Sequence, residues 1–175
     1  LAKVEEQLIG MEEIARQNER FSEMLSFKSE KMSPLLAARV IANDPRSEFQ
    51  DIVISAGSSD GVRVFMPAIG PRGLVGRVGK VGQGESRILL LTDPNSSVDA
   101  IVERSGQRVL VVGAAGKTAL RPHFYISRLE YLTGRSDIED GDVVVSSGLD
   151  GVFPSGIPIG TVANLKKNST GVFIQ

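Results

Sequence analysis

The stretch IVISAGSSDGV at residues 52–62 decides the fold, because an apolar strand runs into a glycine turn and the whole pattern recurs later in the chain. Residues 143–152, VVVSSGLDGV, repeat the strand, the glycine, the Asp-Gly pair and the valine that follows it. Gly57 and Gly148 are 91 residues apart. Self-similarity at one fixed spacing is typical of a duplicated structural unit. The sequence therefore predicts two related β units.

The chain from residue 34 onward consists of short apolar segments separated by turns rich in glycine, proline, aspartate and asparagine. Strands every eight to about twelve residues, without helical periodicity between them, indicate an all-β sandwich or barrel. Glycine-rich strands such as GLVGRVG, residues 73–79, favour small barrels, because glycine permits sharp bends. The candidate strands are residues 37–42, 52–55, 62–69, 74–81, 87–91, 98–103, 108–112, 124–132, 142–147 and 157–165, with a last strand starting at Gly171.

The first 33 residues differ from the rest, with one glycine and no proline. A proline at position 34 disfavours the helical conformation at Ser33, so the boundary falls there. Residues spaced alternately three and four apart form a heptad seam, which predicts a helix. The seam consists of Val4, Gln7, Met11, Ile14, Asn18, Phe21, Leu25, Lys28 and Met32.

Two interpretations of this helix stay open. In a dimeric coiled coil, Val4, Met11, Ile14, Phe21 and Leu25 pack against a second copy, and Asn18 fixes register and strand number. Alternatively, the helix is amphipathic and packs on its own globular part, since short isolated heptad segments are marginally stable.

The predicted organisation is a mainly β protein with an N-terminal coiled-coil helix at 1–33, a first β-barrel at 34–112 and a second β-barrel at 113–175. Only 15 residues follow Gly160, so we expect the second barrel to be shorter than the first or truncated in this chain.

Composition excludes several classes of function. Twenty Lys and Arg against 21 Asp and Glu give a net charge of −1, which argues against a nucleic-acid binder. The absence of cysteine excludes thiolate nucleophiles and cysteine zinc sites, and the single histidine, His123, excludes a site with two imidazoles. We expect neither a metal nor a cofactor. No apolar run approaches the roughly 20 residues of a spanning helix, and we interpret the chain, which starts at Leu1, as an excised soluble portion.

Two motifs resemble ligand-binding loops but lack essential positions. Residues 109–118, VLVVGAAGKT, have two residues between the glycines where a phosphate-binding loop needs four, so we expect a hairpin turn with an exposed lysine. Residues 93–99 alternate oxygen-bearing side chains as a calcium loop does, but the glycine and the final glutamate of that loop are missing, which leaves a turn.

The enzymatic alternative is a serine hydrolase of the double-barrel type that uses His123 as its base. A triad would draw its acid from Asp137, Asp140 or Asp142 and its nucleophile from Ser146, Ser147 or Ser155. The Gly-x-Ser-x-Gly elbow is absent, and the whole set lies within one half of the chain rather than in both barrels. We therefore predict a protein without enzymatic activity.

Two features favour interaction with partners. The segment 151–158, GVFPSGIP, places apolar side chains on a loop that two prolines stiffen, and it is a candidate partner loop through Val152, Phe153, Pro154 and Ile157. Packing of these side chains onto the end of the barrel is the equally open alternative. The second feature is the edges of the predicted sheets, which can pair with other chains.

Six segments, taken together and in order, resemble the MreC family of rod shape-determining proteins. Each segment alone is a weak glycine-turn motif, but the set is spread over residues 38–162, which is most of the chain. They are ARVIANDP at 38–45, GSSDGV at 57–62, GLVGRV at 73–78, LLLTDP at 89–94, GDVVVSSGL at 141–149 and FPSGIPIG at 153–160.

The resemblance implies a bacterial protein with a short cytoplasmic tail, one membrane span, a coiled-coil helix and two small β-barrels in a chymotrypsin-like arrangement without a catalytic triad. It places the barrels on the periplasmic, extracytoplasmic side of the cytoplasmic membrane. It also implies a scaffold of the cell-elongation machinery that builds peptidoglycan. The implied partners are the elongation penicillin-binding transpeptidase, MreD, MreB and further copies of the chain, as homodimers or filaments.

Overall fold

The computed structural model describes residues 35–43, 49–118, 121–130, 137–166 and 170–174. Residues 37–175 belong to one compact unit. The predicted coiled coil at 1–33, with its seam residues Val4, Met11, Ile14, Asn18, Phe21 and Leu25, lies outside the described residues, so it stays a prediction.

The first part of the compact unit is a five-stranded antiparallel sheet in the order β1-β2-β5-β4-β3. Its strands are β1 (Val40–Asn43), β2 (Asp51–Ile54), β3 (Pro67–Gly70), β4 (Gly73–Val81) and β5 (Ser86–Leu90). A single turn of 3-10 helix at Ser58–Asp60 follows β2. Strands β1 and β3 therefore form the two edges of this sheet.

The second part is a closed antiparallel barrel in the order β10-β11-β8-β7-β6-β9, with β9 returning to β10. Its strands are β6 (Ser97–Val102), β7 (Arg108–Thr118), β8 (Arg121–Glu130), β9 (Val143–Ser146), β10 (Pro158–Lys166) and β11 (Thr170–Ile174). Closure pairs each barrel strand on both sides, which removes free edges.

Alternation of apolar and polar residues explains why these segments are strands, since successive side chains point to opposite faces. On β6, Val98, Ala100 and Val102 are buried inside the barrel. The sheet has its own small core of Ala56, Val62, Val78 and Ile88. The mainly β fold class is confirmed.

The two copies of the repeat both form a strand and a glycine turn, but their aspartates make different hydrogen bonds and their strands have different partners. Asp60 turns back and accepts a hydrogen bond from the Gly57 N–H at 2.9 Å. Asp150 reaches forward and accepts hydrogen bonds from the N–H groups of Val152 and Phe153 at 2.9 and 3.0 Å. In the second copy, β10, the strand after the glycine turn, pairs directly with β9, the strand before the turn. In the first copy, β2 pairs with β1 and β5 and not with β3, the next strand along the chain.

The structure changes the expected division of the globular part. A first barrel is expected at 34–112; the described residues of this half form a five-stranded sheet, and the double-barrel arrangement stays a prediction. The expected boundary between 112 and 113 falls inside β7, so the change from sheet to barrel lies at residues 91–96. The second half, expected to be shorter or truncated, contains six strands and closes. Residues 113–118 continue β7 instead of forming a hairpin turn.

The connecting segment at 91–96 is bonded to both parts of the fold. Asp93 is fully buried, and its carboxylate accepts hydrogen bonds from the N–H groups of Gln50 and Asn95, each at 2.7 Å. On the barrel side, the Gly113 N–H donates to the Ser96 carbonyl oxygen at 3.0 Å. The LLLTDP motif is thus the structural joint between sheet and barrel.

Close backbone contacts at two glycines complete this joint. A Cβ atom added to Gly113 would lie 2.0 Å from the Asp93 carbonyl oxygen. One added to Gly73, whose φ of +131° also disfavours side chains, would lie 2.2 Å from the carbonyl oxygen of Pro158 on β10. Only glycine fits at either position, because real Cβ atoms do not approach backbone this closely.

Candidate interaction surfaces

The predicted partner loop between β9 and β10 is mostly packed inward. Phe153 is 3% exposed and Ile157 is buried, whereas Val152 is half-buried and Pro154 is exposed. A buried side chain cannot touch a partner without rearrangement, so the structure assigns Phe153 and Ile157 to the barrel core. A partner role of this loop, through the exposed Pro154 and the half-buried Val152, stays a prediction.

Ser146 explains the shape of this loop. It is completely buried, and its hydroxyl donates to the Pro154 carbonyl oxygen while accepting the Ile157 N–H at 2.9 Å. The loop is thus folded over the barrel end around one side chain, and Phe153 is drawn inward with it. Leu149, which the sequence does not single out, is 65% exposed at the start of the same loop.

The described residues of the hydrolase alternative are engaged in structural contacts. The Ser147 hydroxyl accepts the Leu149 N–H at 3.1 Å and also hydrogen-bonds to Asp99. The Asp142 carboxylate is paired with Arg104, at 2.7 Å between Nε and Oδ1. Asp137 also pairs with Arg104, and Ser155 is exposed. The His123 side chain lies outside the described side chains. Among those described, no serine contacts a base.

Arg104 connects the β6–β7 turn to the acidic turn at 137–142. The guanidinium holds the pKa of the Asp142 carboxyl below its usual value, because it hydrogen-bonds the charged form and outweighs the effect of burial. The Glu139 N–H donates to the same carboxylate at 2.9 Å. The acidic turn is thus bound to the β6–β7 turn through Arg104. The part of the chain that the structure describes contains no group of His, Asp and Glu that could hold a metal.

A second ion pair lies on the barrel wall. The Arg108 guanidinium hydrogen-bonds the Asp99 carboxylate through Nε and Nη2 and lowers the pKa of Asp99. A shallow cavity is lined by these two residues together with Val109 and Leu110. Since each charged group already satisfies the other, the pair stabilises the wall rather than presenting a free charge.

The outer strand of the sheet is exposed along its whole length. Val40 is 59% exposed and Ile41 is 51% exposed, and all four residues of β1 are exposed, with a bulge between Val40 and Ala42. Among the strands that the structure describes, β2 is the only neighbour of β1 in the sheet. An apolar edge strand of this kind is a template for pairing with another chain.

A second exposed apolar surface lies near the opposite edge, in the loop Arg63–Met66. We call this segment the 63–66 loop. The consecutive residues Val64, Phe65 and Met66 are all exposed. The sequence predicted a continuous strand over 62–69, but only Pro67–Gly70 pairs as β3.

The fold and these surfaces define a class: a mainly β protein whose sheet and barrel are joined through a bonded connector and which presents apolar edges and loops. Comparison with known proteins identifies the family within that class. Residues 40–175 match the family model "Rod shape-determining protein MreC, barrel core". The chain belongs to the MreC family.

Individual relatives agree with this assignment. The cell shape-determining protein MreC of Caulobacter vibrioides is 39% identical over 82% of this chain and 39% of its own length. The Escherichia coli protein of the same name is 33% identical over 91% of this chain and 42% of its own length. The chain thus spans about two fifths of the length of these curated relatives.

Solved structures also match. An MreC structure with 32% identity covers 92% of this chain and 90% of its own, with a TM-score of 0.81. The complex between penicillin-binding protein PBP2 and MreC from Helicobacter pylori contains a match with 12% identity and a TM-score of 0.55, over 78% of this chain and 82% of that one. The latter likeness concerns the fold alone. In the described part of the chain, no helix is both long and apolar enough to span a bilayer.

Proposed function

We propose that this chain is a non-enzymatic adaptor of the bacterial cell-elongation machinery, which binds the penicillin-binding transpeptidase of elongation and promotes its activity. Membership of the MreC family supports a role in cell shape. A neighbour of the same fold is a complex of an MreC protein with penicillin-binding protein PBP2, which supports a partner of this kind. No comparison and no described side-chain geometry favours the hydrolase alternative.

The observation that carries the proposal is β1. Its Val40 and Ile41 side chains expose apolar area on a strand whose outer edge pairs with no other strand among the described residues. A partner strand added there would gain backbone hydrogen bonds and would bury both side chains, which is how β-strand addition combines affinity with specificity. The transpeptidase segment that docks on β1 is therefore expected to be extended and apolar.

The remaining parts of the proposal concern residues 1–33 and the setting of the whole protein. The helix at 1–33 would form a dimeric coiled coil, and the sheet and barrel would take the chymotrypsin-like arrangement of the family. The full-length protein would be a single-pass protein of the cytoplasmic membrane with this portion on the periplasmic side. MreD, MreB and further copies of the chain, as dimers or filaments, complete the expected partners.

A titration with the transpeptidase ectodomain of the same organism tests the role of β1. Val40→Lys places a charge on the free edge and is expected to weaken binding about tenfold, which is a loss of about 1.4 kcal/mol. Val143→Lys is the matched control, because Val143 is an exposed valine on β9, a strand paired on both sides. Equal affinities for Val40→Lys, Val143→Lys and the unaltered chain would remove β1 from the interface.

A further inference from the structure

The 63–66 loop is held in a fixed shape by its neighbours. The Phe65 N–H donates to the Val78 carbonyl oxygen, and the Val78 N–H donates to the Met66 carbonyl oxygen, both at 2.8 Å. The Arg63 N–H contacts the Met66 sulfur at 3.3 Å. The loop therefore forms a tight turn anchored on β4, and the exposed apolar side chains are part of a defined local structure.

Phe65 adopts a conformation that phenylalanine avoids. Its φ is +70°, and within the described ranges it is the sole non-glycine residue with a positive φ. A left-handed conformation costs a residue with a side chain roughly 1–2 kcal/mol, and such strain is concentrated at functional sites. Despite this cost, the residue is not buried, since it is 57% exposed.

The segment that contains the ring is basic. Residues 62–81 contain Arg63, Arg72, Arg77 and Lys80 but no acidic residue. The Arg77 guanidinium lies 5.1 Å from the centroid of the Phe65 ring. Arg63 and Lys80 are exposed, and neither belongs to an ion pair among the described side chains.

The sheet also directs two of these charges to one side. Val78 points into the sheet core, so its neighbour Arg77 points away from that core. A bulge between Val78 and Lys80 shifts the register, and Lys80 pairs with Arg87 on β5, which is exposed. Arg77 and Lys80 thus share the outward face beside the 63–66 loop.

We propose that the 63–66 loop docks on an anionic phospholipid surface. Val64, Phe65 and Met66 would enter the interfacial region, while Arg63, Arg77 and Lys80 would contact lipid phosphates. Apolar insertion combined with basic attraction is the usual chemistry of interfacial membrane binding. The inference is independent of the transpeptidase interface proposed for β1.

Flotation of the whole chain with vesicles tests this proposal. We expect binding to vesicles of phosphatidylglycerol and phosphatidylcholine, weakened by salt, and no binding to phosphatidylcholine alone. Lys80→Gln should weaken binding about fivefold, as expected for one basic residue at an anionic surface. Phe65→Asn should weaken it about tenfold through the lost ring, and asparagine tolerates the positive φ, so the fold is kept.

Matched controls use the barrel. Leu149→Ser removes an exposed apolar side chain and Arg128→Gln removes an exposed charge, both away from the loop, and both are expected to leave vesicle binding unchanged. Absence of phosphatidylglycerol-dependent binding, or equal binding by Phe65→Asn, overturns the proposal. So does binding to soluble poly-L-glutamate as tight as to vesicles and insensitive to Phe65→Asn, since it would point to an acidic protein partner. Phe65→Asn is expected to bind the transpeptidase as the unaltered chain does.

Discussion

At the scale of single residues, Gly113 shows most clearly how backbone contact constrains this sequence. A methyl group at this position would collide with the backbone of Asp93. Because the obstacle is backbone, no rotation of a side chain can make room for it. Gly113→Ala is expected to lower the free energy of unfolding by more than about 2 kcal/mol, as overpacking does. Urea denaturation measures the loss.

Gly84 provides the control for this substitution. An added Cβ at Gly84 meets no atom within 4 Å, and its backbone conformation is one that other residues adopt. Gly84→Ala should change stability by no more than about 0.5 kcal/mol. Equal effects of the two substitutions would contradict the assignment of Gly113 to the joint between sheet and barrel.

The Asp142–Arg104 pair predicts how stability depends on pH. The pKa of Asp142 is lower in the folded chain than in the unfolded one, where the carboxyl has its ordinary pKa of about 3.9. The folded state then binds fewer protons, so the stabilisation is complete above the unfolded pKa and is lost as the pH falls through the folded pKa. Asp142→Asn should therefore be less stable at pH 7, with a deficit that narrows below about pH 4.

Thermal unfolding of both proteins between neutral and acidic pH measures that deficit. Glu139→Gln is the companion variant, because Glu139 lies 4.0 Å from Arg104 and is largely exposed. An exposed pair contributes little, so its loss at pH 7 should be small. A deficit for Asp142→Asn that stays constant down to acidic pH would mean that the carboxylate charge is not what stabilises the turn.

Residue-level features divide into those the sequence could and could not predict. The turn chemistry of Asp60 and Asp150 was readable from the Asp-Gly pairs. The burial of Phe153 could not be predicted, because the loop is held by hydrogen bonds of Ser146 on the preceding strand. Nothing in the sequence distinguishes this serine from other serines in strands. The exposure of Phe65 could not be predicted either, because the alternation of residues around it is typical of a strand.

At the scale of elements, the loop from β9 to β10 depends on one hydroxyl. Ser146→Ala would leave the Ile157 N–H and the Pro154 carbonyl without their side-chain partner at a buried site. The expected cost is about 1–3 kcal/mol of unfolding free energy, together with faster hydrogen exchange at Ile157. The exposed Ser155 supplies the control Ser155→Ala, and a loss at Ser155 equal to that at Ser146 would contradict this role.

The predicted helix at 1–33 has its own test. Asn18→Leu replaces a buried amide with an apolar side chain, so the oligomer is expected to gain thermal stability while losing its single register or number of strands. Analytical ultracentrifugation measures the distribution of species. A plain monomer at every concentration of the unaltered chain would instead favour the amphipathic helix that packs on its own globular part.

Most of the described strands were predicted from alternation, since β2, β4, β5, β6, β9 and β10 begin and end within a residue or two of the predicted segments. β7 is longer than predicted, because glycine and alanine at 113–116 carry no clear alternating signal. The pairing of strands was also not predictable. The repeat predicted two equivalent units. Whether a sheet closes into a barrel depends on which strands pair over long distances in the sequence, and the repeated motif does not determine that pairing.

At the scale of the whole molecule, the sequence predicted the family and the mainly β fold class, and the described strands of the first half form a five-stranded sheet. This arrangement matters for function, because such a sheet has two edge strands, whereas a closed barrel has none. β1 and β3 lie at opposite edges of the sheet, so the proposed contacts at β1 and at the 63–66 loop can be made separately.

An adaptor of this kind acts by binding one conformation of its partner more tightly than another, and it can shift that equilibrium only by the difference in affinity. The chain itself would supply no reacting group. The proposed activity therefore belongs to the pair of proteins, and it is measurable only when the transpeptidase is present.

The most direct test is the peptidoglycan cross-linking rate of the cognate transpeptidase, measured with and without a saturating amount of this chain. The account predicts that the chain raises the rate, that Val40→Lys raises it less at equal concentration, and that the chain alone produces no turnover. An unchanged rate at saturation, or turnover of substrate by the chain alone, would contradict the adaptor function.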